Sequence, residues 1–379
     1  MKWLRVRVIL VLGVLAGISV AVVAYSVATL GTLLLLGRSS NHLGRRPPSL
    51  AALGLMIGGC LLLMTVHGVG VLICGRLLMG LGAGLASTSL TAYIVDAAPD
   101  RPAWLASVAS SQTVMLGLAV GAIASGTLVQ YAPWPRTLSL WAATGLLLTS
   151  TLLVAMSPET TSRTRGTWHS LRPTFGSPAH IRPLLPRATA VLLATWATGA
   201  FYQAFVPALV QNQLHSDNSL TVGLAFAAYM GSSALGAPLS GRFSPGKAQR
   251  IAMVTLLTGW AGIVTAIDAG LLPFFFAATV VAGASQGVAI SATTQGLLRG
   301  VNPSERAPIL TVIYLLSYTS ATVPSLIAAR LSTTTSLSRI AWGYAGLTLL
   351  ATVATFAADT YSSARTPSTN RGESASKPV

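Results

Sequence analysis

Apolar stretches of about 20 residues, the length a helix needs to cross a bilayer, recur near 8–36, 49–66, 70–97, 104–130 and 137–156. They return near 187–206, 220–240, 250–268, 271–298, 307–329 and 339–358. The pattern predicts an all-α, polytopic transmembrane bundle of about eleven helices, five followed by six. Between the two groups, Ser157 to Pro186 holds Arg163, Arg165, Arg172 and Arg182 among prolines and serines, so it cannot stay in lipid. The expected division is a helical bundle over 1–156, a cytoplasmic linker over 157–186, a second bundle over 187–358 and a disordered cytoplasmic tail over 359–379.

Basic residues orient this array, because lysine and arginine collect on the cytoplasmic side of a membrane. Alternate loops, counted from the first hairpin, carry Arg38, Arg45 and Arg46, then Arg101, the linker arginines, Arg242, Lys247, Arg250, Arg299, Arg306 and the basic residues of the tail. The opposite loops carry only Arg136, Arg330 and Arg339. The first hairpin, the linker and the tail are therefore expected in the cytoplasm. Lys2, Arg5 and Arg7 break the rule, since a single helix before that hairpin would put them outside.

Composition agrees with lipid as the solvent. The chain is 52% hydrophobic and 8% charged, against roughly 25% charged in a soluble domain. Its net charge of +16 sits at the ends of apolar runs instead of on one face interleaved with aromatics, which speaks against a nucleic-acid partner. Cys60 and Cys74 lie inside apolar segments without metal or redox spacing. The amino-terminal run from Val8 to Leu36 is much longer than the ~7–15 apolar residues of a secretory signal, and reads as a retained helix. The histidines lie in loops, and no Asp or Glu falls mid-segment. No metal, cofactor or enzymatic chemistry is expected, and no Gly-x4-Gly-Lys-Ser/Thr loop for ATP is present.

The loop Gly37-Arg38-Ser39-Ser40-Asn41-His42-Leu43-Gly44-Arg45-Arg46 separates the first two segments. Its glycines suit a tight reversal, and Arg45 and Arg46 suit the headgroup boundary. It resembles the signature loop of the major facilitator superfamily, which reads Gly, three residues, Asp, two residues, Gly and paired basic residues. Asn41 replaces the acid. A looser copy, Gly236-Ala237-Pro238-Leu239-Ser240-Gly241-Arg242, stands at the equivalent place in the second half. Gly75-Arg76-Leu77-Leu78-Met79-Gly80-Leu81-Gly82-Ala83-Gly84 resembles the fourth-helix motif of the same family.

The resemblance implies a secondary transporter working by alternating access, with a small-molecule substrate in a central site between two bundles. It further implies a bacterial-type exporter, a monomer in the plasma membrane, with a coupling proton as a second possible partner. Family members carry an additional helix ahead of the signature hairpin, making six plus six, and residues up to Leu36 look like their second helix. The first is expected to be missing, through a start assigned downstream or a natural truncation. A truncated, transport-inactive scaffold is the rival reading.

Several residues carry the expected mechanism. Gly37, Asn41, Gly44, Arg45, Arg46 and Asp96 form a conformational latch by the resemblance, with Asp96 pairing Arg45 or Arg46; a plain topology anchor and a solvated aspartate are the competing readings. An arginine within a membrane helix costs a few kcal/mol or more unless it faces protein or water, so Arg76 lines a cavity or snorkels to an interface. Gly80, Gly84 and Ser87 share its helix as a small-residue face. Gly117, Gly121 and Gly126 resemble the glycine-rich motif of drug–proton antiporters, with Ala122 replacing its proline and Ser125 a glycine, and suit close helix packing. Thr195, Thr198 and Tyr202 share a helical side, as do Gln286 and Thr293. These five, with Tyr229, Ser232, Ser233, Tyr314 and Tyr318, either line a polar cavity or glue helices together by hydrogen bonds. Arg76, Gln286 and Tyr202 are expected to touch substrate.

Overall fold

The computed structural model describes residues 23–36, 43–96, 103–135, 137–160, 179–301 and 303–364. Among them there are helices and no strands. The first half comprises α1 (Val23–Leu36), α2 (Arg46–Met64), α3 (Val69–Asp96), α4 (Ala103–Tyr131) and α5 (Leu138–Met156). The second comprises α6 (Leu185–Ala204), the short α7 (Val206–Asn212), α8 (Ser219–Gly236), α9 (Pro245–Ala269), α10 (Leu272–Leu298), α11 (Pro303–Leu331) and α12 (Leu337–Ala364). Ten of these are long and apolar enough to span a bilayer. The amino-terminal extension, most of the signature hairpin including Gly37 and Asn41, most of the linker and the last residues of the tail lie outside the described residues.

Proline sets many of the boundaries. Pro47, Pro186, Pro207, Pro245 and Pro273 stand in the first turn of their helices, where the missing N–H has no intrahelical partner to lose. The helix over the apolar segment near 187–206 therefore stops at Ala204 and the short α7 follows it, since Pro207 breaks the ladder after Phe205. Pro238 likewise turns the end of the 220–240 segment into the 3-10 helix Ala237–Arg242. Asn218 caps α8 by accepting from the Leu220 N–H at 2.8 Å, and Gly270, at φ 68°, ends α9 in the left-handed region open to glycine. The expected tail begins late, because α12 continues through Ala364.

Large apolar side chains face outward: Leu146, Leu235 and Leu350 are each about 70% exposed or more. Such a surface would drive aggregation in water and is satisfied by acyl chains. The second half has a dense interior in which Phe201, Tyr202, Tyr229, Trp260 and Phe275 are almost wholly buried. α6 lies at its centre, packed by α10, α11 and α12.

The two halves meet most extensively where α4 crosses α8. The crossing is antiparallel and made by small residues. A methyl group on Gly126 would stand 2.9 Å from the Ser219 carbonyl oxygen, and one on Gly223 would stand 2.4 Å from that of Ala122. Gln130 Oε1 accepts from the Ser219 N–H at 2.7 Å, a hydrogen bond between the halves.

Candidate functional site

Close helix approach also builds the site. α1 packs on α3 along Gly80 and Gly84, where added methyl groups would come within 2.5 Å of the Tyr25 carbonyl oxygen and 2.8 Å of that of Thr29. Thr29 Oγ1 fixes the register, donating to the Gly80 and Tyr25 carbonyls at 3.1 and 2.9 Å. The contact brings Tyr25 within range of the Arg76 charge. Arg76 lies about two turns into α3 and is exposed. Ser87, one helical face further along, is half-buried and donates to its own helix at Ala83 O, 2.7 Å away.

The second half supplies the facing groups. Tyr318 of α11 lies within electrostatic range of both Tyr25 and Tyr314, and its ring rests against Trp196 of α6 at 5.6 Å. The Trp196 indole N–H and the Ser317 hydroxyl are buried without a hydrogen-bond partner among the described residues. Buried donors in folded proteins are nearly always paired, so two idle ones beside Tyr318 leave capacity for a guest. These groups form a constellation linked pair by pair across the halves: the Arg76 charge reaches Tyr25, Tyr25 reaches Tyr318, and Tyr318 reaches Tyr314 and the Trp196 ring.

The other polar candidates occupy a different place. Thr195, Thr198, Tyr202, Tyr229, Gln286 and Thr293 are each 3% exposed or less, inside the second half. Tyr202 Oη and Thr279 Oγ1 share a hydrogen bond of 2.7 Å, and the Tyr229 hydroxyl donates to Gln286. Trp260 donates to Thr198 Oγ1 and Gln249 to Thr293 Oγ1, both at 2.9 Å. Thr195 turns its hydroxyl onto the Val191 carbonyl at 2.8 Å. The structure therefore uses these groups to bind helix to helix, apart from the Thr195 hydroxyl, which stays on its own helix, and brings Tyr314 and Tyr318 of the expected second-half set to the constellation. Tyr25 and Trp196 were missed: Tyr25 lies in the leading apolar run, and Trp196 on the face opposite the Thr195 and Thr198 side.

Gly117 and Gly121 also depart from the sequence expectation. Added methyl groups there would meet nothing within 4 Å among the described residues. Ala122 and Gly126 form the packed face of α4 instead, because they lie one turn apart on the side toward α8.

At the end of the first half that bears the signature hairpin, Arg45 Nε and the Asp96 carboxylate form an ion pair at 2.8 Å, linking the start of α2 to the end of α3. The Arg46 guanidinium donates to the Ala155 carbonyl. Glu159, absent from the sequence expectations, accepts from the backbone N–H groups of Arg45 and Arg46 at 2.6 and 3.0 Å. A carboxylate on the first N–H groups of a helix meets the positive end of its dipole. Gly44, at φ 87°, passes beneath that carboxylate with no room for a side chain.

Two sets of helices long and apolar enough to span a bilayer, meeting where α4 crosses α8, have the architecture of a membrane transporter. The chain belongs to the Major Facilitator Superfamily, whose family model matches residues 11–321. It is similar to the MFS efflux transporter aclA of Aspergillus oryzae (strain ATCC 42149 / RIB 40), at 34% identity over 112 residues, covering 29% of this chain and 20% of that protein. It is also similar to the MFS-type transporter pydD of Acremonium sp, at 33% identity over 135 residues, covering 34% of this chain and 23% of that protein. The matched region spans about a fifth of the length of each relative.

Proposed function

We propose that this chain carries a small molecule outward across the plasma membrane by alternating access, as a secondary transporter without ATP chemistry of its own. The carrying observation is Tyr25, set against α3 at Gly80, with the Arg76 charge of its own half in range on one hand and Tyr318 of the other half on the other. An arginine kept in a membrane helix, exposed and beside phenols, suits a substrate that brings an anionic or strongly accepting group. The aromatic rings of Tyr318 and Trp196 would hold its apolar body. A rocking motion of two rigid halves is supported by the second half's internal hydrogen bonds, which close on themselves and need not break when the halves turn. The outward direction rests on the efflux role in the name of one relative.

Fluorescein, a small aromatic anion, makes a practical test cargo. Cells expressing the chain should lose preloaded fluorescein faster than empty cells, and Arg76→Ala should return the rate to the empty-cell value while the protein still reaches the membrane. Loss of dye from Arg76→Ala cells at the full rate would remove Arg76 from the transport path. Failure of the unaltered chain to speed loss of any of a panel of organic anions would favour the transport-inactive scaffold.

A further inference from the structure

On the second half, α11 and α12 diverge over α6 and leave a recess of about 600 Å³. Its walls are almost wholly apolar, with Val323 and Ile327 on α11, Leu347 on α12 and Leu193 on the α6 floor. Pro324 lies in the α11 wall, where its missing N–H interrupts the helical ladder. None of the constellation around Arg76 lines the recess, so this is a separate place. In a bilayer an apolar recess of that volume does not stay empty or hold water; it takes apolar matter of drug or lipid size.

Its dimensions and its charges select the occupant. The lining runs along α11 from Leu316 to Leu331, a rise of about 22 Å. One leaflet contributes about half of the ~30 Å hydrocarbon thickness, so the recess spans one leaflet and reaches headgroup level. At that end stands Arg339, which lines the mouth, is exposed and forms no ion pair among the described residues. Arg330 is exposed at the same end. The carboxylate of that region, Asp268, is held on another face of α12 by the Ser338 hydroxyl and by Trp342 Nε1, the latter at 2.9 Å. Deeper in, Tyr344 lines the recess at 4% exposure, and its hydroxyl has no hydrogen-bond partner among the described residues. The neighbouring Ser325 hydroxyl is committed to the Ala321 carbonyl at 2.7 Å.

We propose that this recess is a binding site for an anionic glycerophospholipid. One acyl chain lies between α11 and α12, the phosphate meets Arg339, and the Tyr344 hydroxyl donates to an ester carbonyl. The site holds a resident lipid that fills the gap between two helices of the second half and fixes their spacing.

The test reconstitutes the full chain in phosphatidylcholine vesicles with a trace of phosphatidylglycerol bearing a photoreactive diazirine on one acyl chain, and maps the adducts by peptide mass spectrometry. Adducts should concentrate on residues 316–331 and 339–347, and unlabelled phosphatidylglycerol should compete where phosphatidylcholine does not. Arg339→Gln should weaken competition roughly fivefold, the share one interfacial arginine contributes toward anionic lipid. Val323→Trp, a change at a half-exposed apolar position, should fill the recess and abolish the focused adducts. Both variants should keep the unaltered melting temperature before lipid is added. Adducts spread evenly around both halves, equal competition by phosphatidylcholine, or full labelling of Val323→Trp would each overturn the proposal. So would displacement of the probe by fluorescein at concentrations that saturate efflux, which would make the recess a cargo site.

Discussion

The ring of Tyr202 lies flat against that of Tyr229, centroids 4.2 Å apart and planes within 2°, and both phenols reach the same helix, α10, two turns apart at Thr279 and Gln286. Two helices, α6 and α8, are thereby bound to a third by one stacked pair. Stacking of this kind adds roughly 0.5–1.5 kcal/mol beyond the area it buries. The larger part of the tie is polar, because each hydroxyl is buried and partnered.

Tyr229→Phe should therefore destabilise the protein by roughly 1–3 kcal/mol, the cost of leaving the buried Gln286 amide short of a partner. Tyr202→Phe should cost less, since the Thr279 hydroxyl can turn to a carbonyl of its own helix. Thermal melting in detergent reads both. A larger loss at Tyr202 would show that the stack, not the amide, holds the three helices.

At the crossing of the halves, Gly126→Val and Gly223→Val should each cost roughly 1–3 kcal/mol by overpacking, with loss of transport. Gly117→Val and Gly121→Val, with open space beside them, should be close to neutral in both measurements. Equal damage at all four positions would mean that helix propensity, not the crossing, sets the effect.

The Arg45–Asp96 pair has side chains 14% and 30% exposed, and a partly solvated pair contributes little: a double-mutant cycle with Arg45→Gln and Asp96→Asn should give a coupling below about 1 kcal/mol. Its effect should be conformational. Labelling of the exposed Cys74 should change in rate on breaking the pair, even though the melting temperature barely moves. An unchanged rate would leave the pair as a fastening within the first half.

Trp196→Phe removes an indole N–H that has no partner among the described residues, so it should leave stability unchanged or slightly raised. If Trp196 faces cargo, the same substitution should raise the KM for fluorescein efflux several-fold. A fall in melting temperature with unaltered KM would return Trp196 to a packing role.

The membrane class and nearly every helix among the described residues were legible in the sequence, because a bilayer demands long apolar runs and the charges between them have few places to go. The breaks at Phe205 and Gly236 were missed although Pro207 and Pro238 signalled them, since hydropathy averages over a single proline. The polar side chains were harder. Thr195, Thr198 and Tyr202 do share a face, as their spacing indicates, but periodicity does not say whether that face meets a cavity or a neighbouring helix. Tyr25 joins Arg76 only through the α1–α3 approach at Gly80, and Glu159 reaches Arg45 from more than 100 residues away in the chain. Neither relation leaves a local trace.

The crossing at Gly126 and Gly223 has an evolutionary consequence. Glycine is the smallest residue in the genetic alphabet, so no substitution on either helix lies on the lenient side, and every single-codon change there enlarges the axle. Variation in this protein should be free almost anywhere on its lipid-washed flanks while these two codons drift only together with a wholesale re-spacing of the halves.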